Sequence, residues 1–156
     1  MKRRNLLAAF AGMAGGQFLQ PSIAQEAKSP PGPQSQLLGA WTFVQSISIK
    51  DSRSRTDNWG PGATGLLIFD PSGHFAEIID RPRSGLSFRK AFYCFGTYSV
   101  ETGKTIVLKI EGSNRQSIIG TRTTFEITRL DDSELHYLNP KTYPGEQFEV
   151  VWRRSK

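Results

Sequence analysis

The folded part of the chain opens with Gly39-Ala40-Trp41 and closes with Trp152-Arg153-Arg154. Between these two segments lie short stretches of alternating polar and apolar residues, with almost no helical periodicity. A sheet built only from antiparallel strands exposes two edges, and pairing the first strand with the last removes both. The sequence therefore predicts an all-β, closed barrel. Gly39, Trp41, Trp152 and Arg154 are its predicted closure residues, and a cation–π contact is expected between the Arg154 guanidinium and the Trp41 indole.

Eight strands are predicted, each separated from the next by turn or loop residues. They cover residues 41–49, 65–69, 74–80, 92–100, 105–111, 121–129, 134–138 and 147–154. On the first strand the period-two pattern places the odd positions inward, from Trp41 through Gln45 to Ile49. An up-and-down barrel of eight antiparallel strands is just wide enough for packed side chains or one small ligand.

The N-terminal segment, residues 1–24, has the pattern of an export signal. Lys2, Arg3 and Arg4 precede a glycine-diluted apolar stretch, and Ser22-Ile23-Ala24 offers a cleavage site. The arginine pair resembles a twin-arginine signal, with the general secretory route left open. We expect cleavage near Ala24, release into the periplasm or medium, and no stable membrane anchor afterwards, since the apolar stretch is too short to span a bilayer.

Composition limits the rest of the chain to one exported domain. Residues 25–36 are rich in proline and predict a flexible linker, which leaves residues 37–156 for the barrel. Without the signal, 17 of the 20 basic residues remain against 14 acidic ones, too small and dispersed an excess for a nucleic-acid surface.

Cys94 is the only cysteine, so no internal disulfide forms, and its aromatic neighbours predict a buried packing role.

Several segments together resemble the lipocalin-like domain family of bacterial and fungal proteins. They are Leu38-Gly39-Ala40-Trp41, the Gly-Pro loop and strand of residues 59–70, Gly73-His74-Phe75, Phe95-Gly96-Thr97-Tyr98, Glu111-Gly112-Ser113, residues 120–126 and Trp152-Arg153-Arg154. The chain departs from that family at Leu108-Lys109, where histidine is frequent, and at Arg115-Gln116-Ser117. The resemblance implies a lipocalin-type barrel and, in functional terms, small-molecule binding.

Aromatic residues on several strands form the candidate ligand site. The predicted ligand-binding residues are Phe43, Gln45, Leu67, Phe69, Tyr98, Phe125, Tyr137 and Phe148, with Gln45 and the Tyr98 hydroxyl as polar groups. The same side chains could instead fill the interior completely. Basic loops at one end of the barrel, with Arg53, Arg55, Arg81, Arg83, Arg89 and Lys90, could attract an anionic ligand or could simply be solvated.

No catalytic or metal-binding constellation is recognisable. His74 and His136 are the only histidines, and with Cys94 they are too few for a zinc site, so no metal and no cofactor are expected. Glu77 stands out because Ala76 and Ile78 flank it, but we expect it to face outward. A carboxylate here would do acid–base work only if burial changed its pKa.

Three functions therefore remain open from the sequence. The leading hypothesis is an exported barrel that binds a small hydrophobic or amphipathic molecule, anionic ones included. The second is a cyclase- or isomerase-type enzyme on the same barrel, favoured if Glu77 were buried against a pocket. The third is a solid-core interaction module without a small ligand. The sequence leaves ligand identity and oligomeric state open.

Overall fold

The computed structural model describes residues 32–50, 54–82, 90–143 and 146–156. The predicted export signal and residues 25–31 of the predicted linker lie outside these ranges. The described elements are helix α1 (Pro33–Leu37), strands β1 (Gly39–Lys50), β2 (Ser54–Asp57), β3 (Thr64–Phe69), β4 (His74–Arg81), β5 (Lys90–Glu101), β6 (Thr105–Ser113), a 3₁₀ turn (Gln116–Ile118), β7 (Arg122–Leu130), β8 (Glu134–Tyr143) and β9 (Glu146–Arg154).

Antiparallel pairing between successive strands closes the sheet into a barrel. From β3 to β9 each strand pairs with the next, and β9 returns to pair with β1, which places Trp41 opposite Arg154. β2 and β3 follow one another along the same edge of β1, so the wall is eight strands around. The predicted closed, eight-stranded, up-and-down barrel is confirmed.

Two elements occupy segments for which no regular structure was predicted. β2 lies in the predicted polar loop, and all four of its residues are exposed, so it has no apolar alternation to reveal it. Helix α1 begins at Pro33, within the predicted linker, and ends at the fully buried Leu37. No helix in the described part of the chain is long and apolar enough to cross a membrane.

A β-bulge in β1 reverses the expected orientation of its second half. Phe43 pairs with Trp152 and Gln45 with Val151, so Val44 is an extra residue on β1. Inward positions therefore run from Trp41 and Phe43 to Ser46 and Ser48, and Gln45 is exposed. The predicted inward orientation of Gln45 is wrong, because a period-two pattern contains no signal for an inserted residue.

Arg154 and Trp41 close one end of the barrel together with α1. The Arg154 guanidinium carbon lies 4.0 Å from the centroid of the Trp41 ring. Arg154 also donates hydrogen bonds to the carbonyl oxygens of Gln36, Leu38 and Asp132. The Trp41 indole donates to the Leu37 carbonyl at 2.8 Å. These contacts join the segment before β1, the last strand and the β7–β8 turn, so the predicted pairing of Trp41 with Arg154 is confirmed.

Aromatic packing fills the half of the interior next to this closed end. The rings of Phe43 and Trp152 meet edge to face at 5.4 Å between centroids, and those of Phe69 and Tyr98 at 4.8 Å. Gly39 has a φ of +112°, a backbone conformation that favours glycine, and its position leaves the Arg154 guanidinium 3.5 Å from where a Cβ would stand. The closed half is therefore a packed core.

Apolar residues also form a surface patch on the outer face of β3, β4 and β5. Cross-strand neighbours Leu66, Ile78 and Tyr93 form one row, and Ile68, Ala76 and Phe95 form the next. Leu66, Ile68, Ile78, Tyr93 and Phe95 are 38–51% exposed. We call this set the outer apolar patch.

Candidate functional site

The other half of the barrel holds a cavity of about 510 Å³. Its walls come from seven strands together with the β2–β3 loop and the 3₁₀ turn. Its lining residues include Ser46, Trp59, Glu77, Ile79, Lys90, Phe92, Cys94, Leu108, Ile110, Arg115, Ile118, Thr123, Phe125, Tyr137, Asn139, Phe148 and Val150. Most of these side chains are apolar, and the volume lies within the range of small-molecule sites.

Glu77 supplies a carboxyl group inside this cavity. It lies on β4 between Phe75, on the packed side, and Ile79, on the open side, and only 6% of it is exposed. The expectation that Glu77 faces outward is wrong: β4 alternates from Phe75 through Ile79 with the odd positions inward, and Ile78 is instead an outer residue. The sequence did not show which set of β4 residues faces inward, because both faces of β4 carry apolar side chains.

The environment of Glu77 disfavours its charge. Burial raises the pKa of Glu77 to about 7, although the Cys94 hydrogen bond and the positive charge of Arg115 act in the opposite direction. The Cys94 thiol donates to Glu77 Oε2 at 3.9 Å, and burial followed by the nearby Glu77 charge raises the pKa of Cys94. Burial, and then the charge of Glu77, likewise raises the pKa of Tyr137 well above its usual range. The cavity floor thus carries three groups that favour their protonated forms.

Three cations line the cavity, Lys90, Arg115 and Arg122, and the first two lie against aromatic rings. Lys90 Nζ lies 4.6 Å from the centroid of Trp59, and the Arg115 guanidinium carbon lies 4.9 Å from that of Phe92. Burial lowers the pKa of Lys90, and the positive charges of Arg81 and Arg115 lower it further. Mutual repulsion among these cations makes this rim a favourable place for an anion.

The β2–β3 loop holds Trp59 in position at this rim. Asp57 accepts a hydrogen bond from the Trp59 backbone N–H at 2.9 Å, and Arg81 donates to the Trp59 carbonyl at 3.1 Å. Gly60 and Gly62, with φ of +76° and +80°, then turn the chain away. The Gly-Pro segment noted in the sequence therefore places an aromatic ring beneath Lys90.

The predicted ligand-binding residues divide between the two halves of the barrel. Phe125, Tyr137 and Phe148 line the cavity. Phe43, Leu67, Phe69 and Tyr98 belong to the packed core instead, and the Tyr98 hydroxyl donates to the Asp70 carbonyl at 3.2 Å, so the structure does not place them at the cavity. Gln45 faces solvent. The two groups of residues differ only in their position along the barrel axis. The alternation of polar and apolar residues predicts which face of the wall a side chain lies on, but not its position along that axis.

Several residues of the site had no distinct sequence signal. Ser46 turned inward because of the bulge, and Cys94, Leu108 and Ile110 resemble ordinary core positions. Of the predicted basic mouth, Lys90 lines the cavity, whereas Arg55 is paired with Glu149 and Arg53, Arg83 and Arg89 lie outside the described residues. Arg115 was identified only as a departure from the family pattern.

The two histidines lie outside the cavity lining. His74 Nδ1 is 2.9 Å from the Ser72 hydroxyl, and His136 Nε2 is 3.1 Å from Glu134 Oε2. Within the described ranges, no three or more His, Cys, Asp or Glu side chains are grouped so as to hold a metal ion. The cavity floor and its rim are therefore the chemically distinctive part of the described structure.

Known proteins of similar shape include natural and designed barrels. A lipocalin-like protein from Bacteroides uniformis is 16% identical, with 77% of this chain and 99% of that chain covered and a TM-score of 0.48. Bovine odorant-binding protein in complex with a selenium-containing odorant is 21% identical, with 85% and 78% covered and a TM-score of 0.44. A redesigned β-barrel is 13% identical, with 80% and 96% covered and a TM-score of 0.48. No protein-family model and no curated protein matches the chain.

Proposed function

We propose that this barrel binds a small amphipathic molecule, whose apolar body fills the cavity and whose anionic group lies against Lys90 and Arg115. The observation that carries the proposal is the cavity of about 510 Å³, which is lined mainly by apolar side chains. A solid-core interaction module would need a filled interior, and the open half of this barrel is hollow. The preference for an anion is supported by the cations at the rim, whose repulsion a bound sulfonate or carboxylate would relieve.

A pair of fluorescent probes tests both parts of this proposal. N-phenyl-1-naphthylamine is neutral, and 8-anilino-1-naphthalenesulfonate has the same ring skeleton with an added sulfonate. We expect both to bind with a Kd in the micromolar range or below, and the sulfonate to bind more tightly. The variant Ser46→Phe, which projects a ring into the cavity, should weaken both probes by at least tenfold. Gln45→Phe, the neighbouring change on the outside of the wall, should weaken neither.

The charge at the rim is tested by replacing both cationic side chains with an unbranched, uncharged one. In the double variant Lys90→Met, Arg115→Met, we expect the sulfonate to lose about tenfold in affinity while the neutral probe is unchanged. Lys109→Met, on the outer face of β6, is the control and should leave both affinities unchanged. Equal loss for Ser46→Phe and Gln45→Phe would contradict binding inside the barrel, and an unchanged sulfonate affinity in the double variant would contradict the anion preference.

A second candidate function is supported by the burial of Glu77 against the cavity. A carboxyl with a pKa of about 7 in an apolar site is suited to act as a general acid or base near neutral pH, as an isomerase or cyclase requires. The probe 5-nitrobenzisoxazole detects such a base, because removal of its ring C–H proton breaks the N–O bond and releases a coloured phenolate. An enzyme would open the probe with a rate that rises with pH through about 7 and that Glu77→Gln abolishes. A rate equal to that of Glu77→Gln would reject this second candidate.

We further propose that the barrel acts after export. The support is the sequence of residues 1–24, with its basic start, apolar stretch and small residues before Gln25. Intact-mass measurement of the protein recovered from the periplasm and from the medium should show a chain beginning at about Gln25. A chain that keeps residues 1–24 and stays inside the cell would contradict the proposal, and replacing Arg3 and Arg4 by lysine would separate the twin-arginine route from the general one.

A further inference from the structure

Among the three groups at the cavity floor, Glu77, Cys94 and Tyr137, the carboxyl of Glu77 costs the most free energy to remove from water. The residue is 6% exposed, and within the described residues the hydrogen-bond partner of its carboxyl is the Cys94 thiol at 3.9 Å. A thiol is a weak donor, whereas a carboxyl offers two oxygens and about four acceptor sites. A polar group that is buried with so little compensation destabilises the fold, so its presence calls for a functional explanation.

The position of Glu77 points to a ligand rather than to the fold. Phe75, the next inward residue on β4 towards the closed end, is part of the packed core, and Ile79, on the other side, lines the cavity. Glu77 therefore lies at the floor, where the inner end of a bound molecule would rest. Cys94 faces it from β5, Tyr137 lines the same cavity from β8, and Arg115 acts on it from the β6–β7 connection.

The chemistry of this floor discriminates between groups that the ligand could present. A carboxylate at the inner end would meet the Glu77 carboxyl, and an ammonium would have to pass the cations of the rim and be desolvated. A hydroxyl donates to an ionised carboxyl and also exchanges hydrogen bonds with a protonated one. Because the pKa of Glu77 is near 7, both forms are present at neutral pH, and a hydroxyl can bind to either.

We propose that Glu77 selects amphipathic ligands that carry a hydroxyl group on the end that enters the barrel first. The inference rests on the proposed binding function and specifies the class of ligand: an anionic head, an apolar body and a hydroxylated inner end. In the complex, the ligand hydroxyl bonds to the Glu77 carboxyl, which replaces or supplements the weak contact with Cys94.

A displacement series tests this selectivity. Octanoate, decanoate and dodecanoate, with their ω-hydroxy and ω-amino derivatives, compete against bound N-phenyl-1-naphthylamine. For the chain length that spans the distance from rim to floor, we expect the ω-hydroxy acid to bind about tenfold more tightly than the plain acid, and the ω-amino acid more weakly than either. Glu77→Leu should reverse the preference for the hydroxyl, and Glu77→Gln should keep most of it. Glu126→Leu makes the same substitution at an exposed position of β7 outside the cavity lining and is the matched control, with the preference unchanged.

The possible results distinguish failure of the role proposed for Glu77 from failure of the proposed small-molecule binding. If the probe binds and the plain and ω-hydroxy acids displace it equally at every length, the binding function stands and the role of Glu77 is overturned. A hydroxyl preference that survives Glu77→Leu also overturns it. If neither the probe nor any acid binds, the proposed function itself fails. A structure of the native protein with the preferred ω-hydroxy acid gives a readout that needs no variant: hydroxyl and carboxyl oxygens within hydrogen-bond distance support the inference, and any larger separation refutes it.

Discussion

Arg154 shows how much one side chain can hold together at the closed end. It covers the Trp41 ring and donates hydrogen bonds to three carbonyl groups, two in the segment that leads into β1 and one in the β7–β8 turn. The adjacent Arg153 points outward, with 64% of its side chain exposed, and lies 3.7 Å from Glu134. Two consecutive arginines on one strand therefore have different roles because they lie on opposite faces of the wall.

We expect Arg154→Ala to lower the free energy of unfolding by about 3 kcal/mol, because it removes a cation–π contact and charge-assisted hydrogen bonds. Arg153→Ala should cost less than about 1 kcal/mol, as is usual for an exposed ion pair. Urea denaturation of both variants at constant pH makes the comparison. Similar costs for the two would contradict the role assigned to Arg154.

Glu77 predicts a specific dependence of stability on pH. Folding raises its pKa to about 7 from a usual value of 4.5, so between these values the folded state retains a proton that the unfolded chain has released. The contribution of Glu77 to the free energy of unfolding is therefore highest below about pH 4.5, where Glu77 is protonated in both states. This stability is lost as the pH rises through about 7. Relative to the native protein, Glu77→Gln should gain about 3 kcal/mol between pH 4.5 and pH 8.

Urea titrations of the native protein and Glu77→Gln across this pH range measure the effect. Glu126→Gln, an exposed change on β7, is the control and should give a stability curve parallel to that of the native protein. A curve for Glu77→Gln that also stays parallel would show that Glu77 is not buried as described.

At the scale of the element, the bulge in β1 decides which residues enter the cavity. Val44 is the inserted residue, and because of it Ser46 rather than Gln45 faces the interior. After deletion of Val44, every other β1 side chain should stay on its present side of the wall. Phe43 and Ser46 would then be two positions apart, as two inward residues of a regular strand are. Deleting Ser48, in the regular part of β1, should turn one flank of the strand to the wrong face.

We therefore expect the Val44 deletion to fold with a modest loss, about 2 kcal/mol or less, and the Ser48 deletion to fail to fold. Circular dichroism and urea denaturation distinguish the two. Equal damage from both deletions would contradict the assigned position of the bulge.

The elements also show what the sequence could and could not predict. All eight predicted strands are present, because their turns carry strong signals such as Asp70-Pro71-Ser72-Gly73 and their faces alternate. The facing of Gln45 and Glu77 could not be predicted, in one case because of an inserted residue and in the other because both faces of β4 are apolar. β2 was missed because its residues are all exposed, and pairing with β1 rather than burial holds it in the sheet.

At the scale of the whole molecule, the barrel combines a packed half with a hollow half. Closure by Trp41 and Arg154 could be predicted from the ends of the chain, since only pairing of first and last strands removes both edges. The division between core and cavity could not, because Phe69 and Phe125 have the same pattern in sequence although one packs against Tyr98 and the other lines the cavity. Depth along a barrel axis depends on the stagger of the strands and on which end is covered.

The hollow half is the proposed location of a bound small molecule, and the outer apolar patch is the alternative location for a hydrophobic ligand. The most direct measurement is methyl-resolved NMR of the protein with N-phenyl-1-naphthylamine, which reports the side chains that touch the probe. We predict nuclear Overhauser effects from the probe to the methyl groups of Ile79, Leu108 and Ile110. Contacts to Leu66, Ile68 and Ile78 without any to the first three would place the probe on the outside of the wall and contradict the account.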